Sequence, residues 1–175
     1  MRRREFITLV GGAAMAWPIA ASAQQPSRDR PRLVGVVAGF TDAEMRPLTQ
    51  AVREKLRTLG WTEGSDLIID VRLGAGDYTR MTEEAGQLIG LNPDVILVLG
   101  SPGLAAVRRH SKTVPVVFVF VADPARTGVI ESLARPGGYS TGFTNFEFSI
   151  GGKWLELLKE VAPRLKRAVL ISHPG

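Results

Sequence analysis

Almost continuous apolar runs alternate along this chain with segments whose apolar positions recur every three or four residues. Residues 33–38 (LVGVVA) are such a run, the mark of a strand covered on both faces and so of a buried parallel sheet. Thr41 or Asp42 can cap the helix that follows, in which Met45, Leu48, Val52, Leu56 and Leu59 form one stripe before Gly60 stops it. Pro47 falls close to its start, so an irregular first turn or a later start is expected. Residues 67–73 alternate as a second strand. Asp77 caps a second helix carrying Met81, Ala85, Leu88 and Ile89, which Asn92-Pro93 ends. A third strand is predicted at 95–99, a helix at 102–110, a fourth strand at 114–121 and a short helix near 128–134. Pro136-Gly137-Gly138 turns the chain into a fifth strand at 140–144. An amphipathic helix at 150–161 and a sixth strand at 167–172 complete the pattern.

Strands separated by such helices form βαβ units, so the fold class is α/β with a doubly wound parallel sheet. Ligands of such sheets sit outside the carboxyl ends of the strands, where the strand order reverses. Here those ends are the loops at 39–42, 100–103 and 122–124.

The N-terminal segment has a different pattern. Arg2, Arg3 and Arg4 form a basic head, residues 7–16 are apolar and small, and Ala21-Ser22-Ala23 is a small-x-small cleavage site. Residues 1–23 therefore read as a secretory signal peptide cleaved after Ala23, which implies a periplasmic destination. A membrane span needs about 20 apolar residues. This run is shorter, carries Gly11-Gly12 and stops at Trp17-Pro18, so no stable membrane insertion is expected. Arg3-Arg4-Glu5-Phe6-Ile7 has the form of a twin-arginine address, with Thr8 where a lysine would complete it.

Removing that segment leaves about 150 residues, enough for one well-formed core. The net charge of +5 is modest, and part of it belongs to the basic head. Arg108-Arg109-His110 with Lys112 has no interleaved aromatics and reads as a solvated helix end, so nucleic acid is not an expected partner. The chain has no cysteine, which excludes disulfides, thiolate catalysis and cysteine metal sites.

Catalytic and cofactor motifs fail one by one. A dinucleotide loop needs G-x-G-x-x-G after the first strand, where only Gly35 and Gly39 stand. Gly151-Gly152-Lys153 ends like a phosphate loop, but Glu147 occupies the position of its first glycine and Trp154 follows the lysine. Ser101 lacks the nucleophile-elbow glycine two places before it, and Pro102 opposes that strained turn. The two histidines, His110 and His173, have no partner at metal or triad spacing, and Glu83-Glu84 read as solvated charges. No catalytic residue, metal site or cofactor is expected.

Binding remains. Ser101 and Pro102 open a helix after Gly100, offering a hydroxyl and first-turn N–H groups that suit a carboxylate, although Ser101 could equally serve only as a cap. Phe40 and Thr41 add an apolar wall and a hydroxyl, and Asp123 an acceptor for a cationic group, with an ordinary turn the alternative at Asp123-Pro124.

Several segments then converge: Arg3-Arg4-Glu5-Phe6-Ile7, Leu59-Gly60-Trp61, Asn92-Pro93-Asp94-Val95-Ile96, Gly100-Ser101-Pro102, Val121-Ala122-Asp123-Pro124, Leu133-Ala134-Arg135-Pro136-Gly137-Gly138, Thr141-Gly142-Phe143 and Gly152-Lys153-Trp154-Leu155-Glu156-Leu157. With them the chain resembles the substrate-binding proteins of a bacterial ABC transporter family, those of tryptophan and tyrosine type. The resemblance implies a two-lobed periplasmic receptor that closes on a small organic solute, an amino acid or aromatic carboxylate, and delivers it to an ABC membrane permease. It implies no enzymatic activity. The alternative is an exported α/β hydrolase using Ser101.

Members of that family are longer. The resemblance therefore divides the chain into a signal peptide at 1–23, a linker at 24–32, a first α/β lobe of periplasmic binding protein type I at 33–148, and the start of a truncated second lobe at 149–175. Half a cleft encloses too little of a ligand for tight binding, so weak binding is expected of these residues alone.

Overall fold

Five strands lie side by side in the order β2-β1-β3-β4-β5, every neighbouring pair parallel. They are β1 (Arg32–Ala38), β2 (Leu67–Leu73), β3 (Val95–Leu99), β4 (Val116–Ala122) and β5 (Ser140–Phe146). The helices are α1 (Asp42–Thr58), α2 (Tyr78–Gly90), α3 (Ser101–His110) and α4 (Ser149–Val161). The structure is a computed structural model that describes residues 30–146 and 149–169. The predicted signal peptide, most of the linker and the end of the predicted sixth strand lie outside the described residues.

Alternation along the strands sorts the core into two layers, because successive side chains of a strand point to opposite faces. Val36 and Ala38 of β1 and Leu99 of β3 face Met45 of α1. Val37 of β1, Ile96 and Val98 of β3, and Val116 and Phe118 of β4 face the other way, against Met81, Ala85 and Leu88 of α2 and Leu104 and Val107 of α3. One face thus carries a single helix and the other carries two. β1 and β3 have side chains buried on both faces, which explains why they read as unbroken apolar runs.

The helix starts follow from local chemistry. Thr41 is the N-cap of α1, and its N–H and hydroxyl both donate to Glu44 Oε2, at 2.8 and 2.7 Å. Those bonds hold the Glu44 carboxyl below its ordinary range, the backbone bond first. Asp77 caps α2 as expected, its Oδ1 accepting the N–H groups of Thr79 and Arg80 at 2.8 and 3.1 Å.

Several expectations need correction. Pro47 neither delays nor ends α1 and lies inside it. The N–H that proline lacks would have bonded the carbonyl of Ala43, which is exposed and can take water instead. Leu48 and Leu59 of the expected stripe are exposed, and Thr49 is buried in their place, its hydroxyl donating to the Met45 carbonyl at 2.9 Å. β4 begins two residues later than predicted, because Ser111 Oγ accepts the N–H groups of Thr113 and Val114 and Pro115 has none to give. The short helix near 128–134 does not form. Gly128 has φ +69, the Val129 N–H returns to the Pro124 carbonyl, and Ser132 and Arg135 close a separate turn. Residues 167–169 form no strand. Glu84 is no solvated charge: it meets Arg72 Nη1 at 2.9 Å beside Asp70, and these bonds, Asp70 first, keep Arg72 firmly charged.

Ladder register shifts twice, close together. Val116 to Val119 of β4 pair in step with Ser140 to Phe143 of β5, after which the register shifts around Val121 and Ala122. Phe120 occupies the bulge with φ +60, unusual for an aromatic residue, and is half exposed.

Candidate ligand-binding face

The strand order reverses between β1 and β3, since β1 leads outward to β2 on one side and the chain returns to add β3, β4 and β5 on the other. The crevice outside the carboxyl ends of β1 and β3 is therefore the position where a doubly wound sheet binds ligands. The register places Ala38 beside Leu99 and Leu99 beside Val119, so the loops carrying Phe40-Thr41, Ser101-Pro102 and Asp123 emerge from one edge of the sheet.

Each loop is braced. The Gly74 and Gly76 N–H groups donate to the carbonyls of Ala38 and Gly39, both at 2.8 Å, tying the loop after β1 to the loop after β2. Phe40 is 39% exposed there. The hydroxyl proton of Thr41 goes to Glu44, which leaves its oxygen as an acceptor for a ligand.

The loop after β3 turns on Gly100, the N-cap of α3, at φ 82 and ψ 158. A side chain there would be strained, and the Gly100 N–H donates to the Val119 carbonyl at 2.9 Å. Ser101, and not Pro102, is the first residue of α3. Of the residues of the first turn, Pro102 has no N–H to give and Gly103 is buried, whereas Ser101 is exposed. The Ser101 hydroxyl does not close its own helix. Its oxygen accepts the N–H of Ala122 at 3.2 Å, and its proton remains available to a ligand.

Asp123 has φ +39. Its Oδ1 accepts the Arg126 N–H at 3.2 Å and its Oδ2 lies 3.4 Å from Arg126 Nε. The side chain is only 20% exposed, against 62% for Arg126. The turn is present, and it leaves acceptor capacity, because a carboxylate has lone pairs beyond those that Arg126 uses.

Sequence reasoning missed Phe120. Its bulge lies inside VVFVFVA, a run with no glycine, proline or asparagine to mark a break. Among the described residues no group of His, Cys, Asp and Glu could hold a metal ion, and no helix is long and apolar enough to cross a membrane. His110 closes the other end of α3 from Ser101, its Nε2 3.0 Å from the Thr82 carbonyl.

Comparison with known proteins bears on the family and the fold. A family model described as ABC transporter substrate binding protein matches residues 34–175. A tyrosine-binding protein of Clostridioides difficile is 28% identical over 118 residues, which is 67% of this chain and 34% of that protein. A crystal structure of a conserved domain protein from Vibrio cholerae superposes with a TM-score of 0.64 at 28% identity, over 78% of this chain and 46% of that one. An ABC domain from Streptococcus pneumoniae in complex with L-Trp superposes with a TM-score of 0.62 over 78% of this chain and 45% of that one, and at 20% identity it is a likeness of fold. The chain spans about a third of that curated relative and under half of each of these solved chains.

Proposed function

The chain belongs to the family of ABC transporter substrate-binding proteins, and on that premise we propose that its β1/β3 edge is one wall of a cleft for an aromatic amino acid or a related carboxylate. The observation that carries this reading is that the loops carrying Phe40, Thr41, Ser101, Pro102 and Asp123 leave one edge of the sheet, at and beside the reversal of strand order. In it, the Ser101 hydroxyl and its N–H receive the carboxylate at the positive end of α3. Thr41 Oγ1 and the Asp123 carboxylate accept from the ammonium group. Phe40 lies against the side chain, where two aromatic rings would stack edge to face or offset. The tyrosine named for the Clostridioides relative, and the L-Trp of the streptococcal complex, both carry these three parts.

A site of this kind needs a second wall, because good pockets enclose about 70 to 90% of a ligand. The described residues supply one wall of it. Export by the segment at 1–23, action in the periplasm and delivery to a membrane permease complete the proposed role.

The reading as a hydrolase falls with the family, which is one of binding proteins and not of enzymes. Ser101 has no base beside it among the described residues, and its oxygen is engaged by Ala122.

Titration with L-tyrosine and L-tryptophan, followed by amide NMR of the isotopically labelled chain, tests the proposal even at weak affinity. The expected result is saturable movement of the Phe40, Thr41, Ser101 and Asp123 resonances, reduced in Ser101→Ala. Saturation with no movement at these loops, or none with any aromatic carboxylate, overturns it.

A further inference from the structure

Two hydroxyls stand at the carboxyl edge of the sheet, and their partners fix them in opposite senses. A hydroxyl has one proton and two lone pairs, and by rotating it can donate to one ligand and accept from the next. Ser101 Oγ accepts the Ala122 N–H at 3.2 Å, which leaves its proton uncommitted. Thr41 Oγ1 donates to Glu44 Oε2 at 2.7 Å, which spends its proton and leaves it only lone pairs to offer.

The direction of the Thr41 bond cannot reverse. Glu44 Oε2 also accepts the Thr41 N–H at 2.8 Å, so one carboxylate oxygen is held by two donors of the same residue. These bonds, the backbone one first, keep the Glu44 carboxyl below its ordinary range. At neutral pH it is therefore ionised and has no proton to return. The remaining polar side chain at this edge, the Asp123 carboxylate, is an acceptor as well.

We propose that Glu44 is a positioning residue for ligand selection: without touching the ligand, it holds the Thr41 proton and makes Thr41 Oγ1 an obligatory acceptor. This rests on the reading of the β1/β3 edge as a ligand wall, and it adds the means by which two ligands of equal shape and equal carboxylate are told apart. An α-ammonium group brings N–H donors to Thr41 and Asp123. An α-keto group brings only lone pairs, so acceptors meet an acceptor and each is left without its hydrogen bond. The site therefore selects α-amino acids over the matching α-keto acids.

Amide NMR titration of the labelled chain with L-tyrosine, and separately with its α-keto acid 4-hydroxyphenylpyruvate, gives the ratio of two Kd values for each variant. Wild type should favour the amino acid by about tenfold or more. Glu44→Ala frees the Thr41 hydroxyl to donate and should lower that ratio about fivefold. Loosening of the start of α1 alone would weaken both ligands alike and leave the ratio where it was. Glu44→Gln keeps a carbonyl oxygen for both Thr41 bonds and should retain most of the ratio, whereas a purely electrostatic role of the carboxylate would be lost in Gln as in Ala. In a Thr41→Val background, Glu44→Ala should lower the ratio no further. Saturable L-tyrosine binding at these loops with a wild-type ratio near one, a ratio that Glu44→Ala leaves unchanged, or one that Glu44→Gln lowers as far as Glu44→Ala overturns this inference and leaves the ligand wall standing. Saturation by neither compound removes the wall and the inference together.

Discussion

Ser101 Oγ accepts the backbone N–H of Ala122 at 3.2 Å, so the first residue of α3 holds the end of β4. Two of the three loops at the carboxyl edge are thereby one mechanical unit. Ser101→Ala removes that acceptor while the Ala122 N–H, at the surface, can turn to water. The expected cost is about 0.5 to 1.5 kcal/mol in chemical denaturation. A larger proportional loss is expected in the NMR titration, because in the proposed site the hydroxyl serves the ligand as well.

Asp94 joins the opposite end of the sheet. Its Oδ1 lies 2.8 Å from Arg32 Nη1, its Oδ2 accepts the Leu33 N–H at 2.8 Å, and its side chain is 18% exposed. Asp94→Ala leaves a partly buried N–H and a guanidinium unmatched at the entry to β1. A loss of about 2 to 3 kcal/mol is expected from urea unfolding midpoints at constant slope. Asp94→Asn should recover part of it by keeping an acceptor for Leu33.

Gly142 of β5 pairs with Phe118 of β4, and a Cβ at this glycine would collide with the Phe118 carbonyl. Backbone cannot move aside as a flexible side chain can. Gly142→Ala is expected to cost about 3 kcal/mol or more and to release β5 first, seen as early hydrogen exchange of its amides.

Acid should loosen the start of α1 before the rest of the sheet. Glu44 titrates below its ordinary range when folded, because Thr41 donates to its carboxylate through both the backbone N–H and the hydroxyl. A group depressed in this way contributes stability above its unfolded pKa and loses it as pH falls through the folded one. Hydrogen exchange in the first turn of α1 should therefore rise below pH 4.5 or so, and Glu44→Gln should flatten that dependence.

The fold was legible because its central strands are buried on both sides. Residues 33–38 and 95–99 are apolar throughout for that reason, and the Asp77 cap announces its helix by side-chain chemistry alone. Legibility failed where a tertiary partner decides the outcome. The segment 128–134 has helix-compatible residues, yet Gly128 in a left-handed conformation and bonds back to Pro124 make it a series of turns. The exposure of Leu48 could not be read from its periodicity, because periodicity shows which side of a helix is apolar and says nothing of whether a neighbour covers it. At the candidate face, strand ends marked the loops, whereas the hydrogen bonds within them could not be read. That Ser101 would face Ala122 rather than its own helix depends on how far β4 extends beside β3.

The bulge at Phe120 has an evolutionary consequence. Below it, Val116 and Phe118 point toward α2 and α3, and above it the parity changes so that Val121 does. The strand thus resets its phase just before the mouth. Exchanges at the exposed Phe120 and Ala122 can re-aim Asp123 while Val121 and Pro124 stay packed, so selection can vary the proposed edge without renegotiating the core.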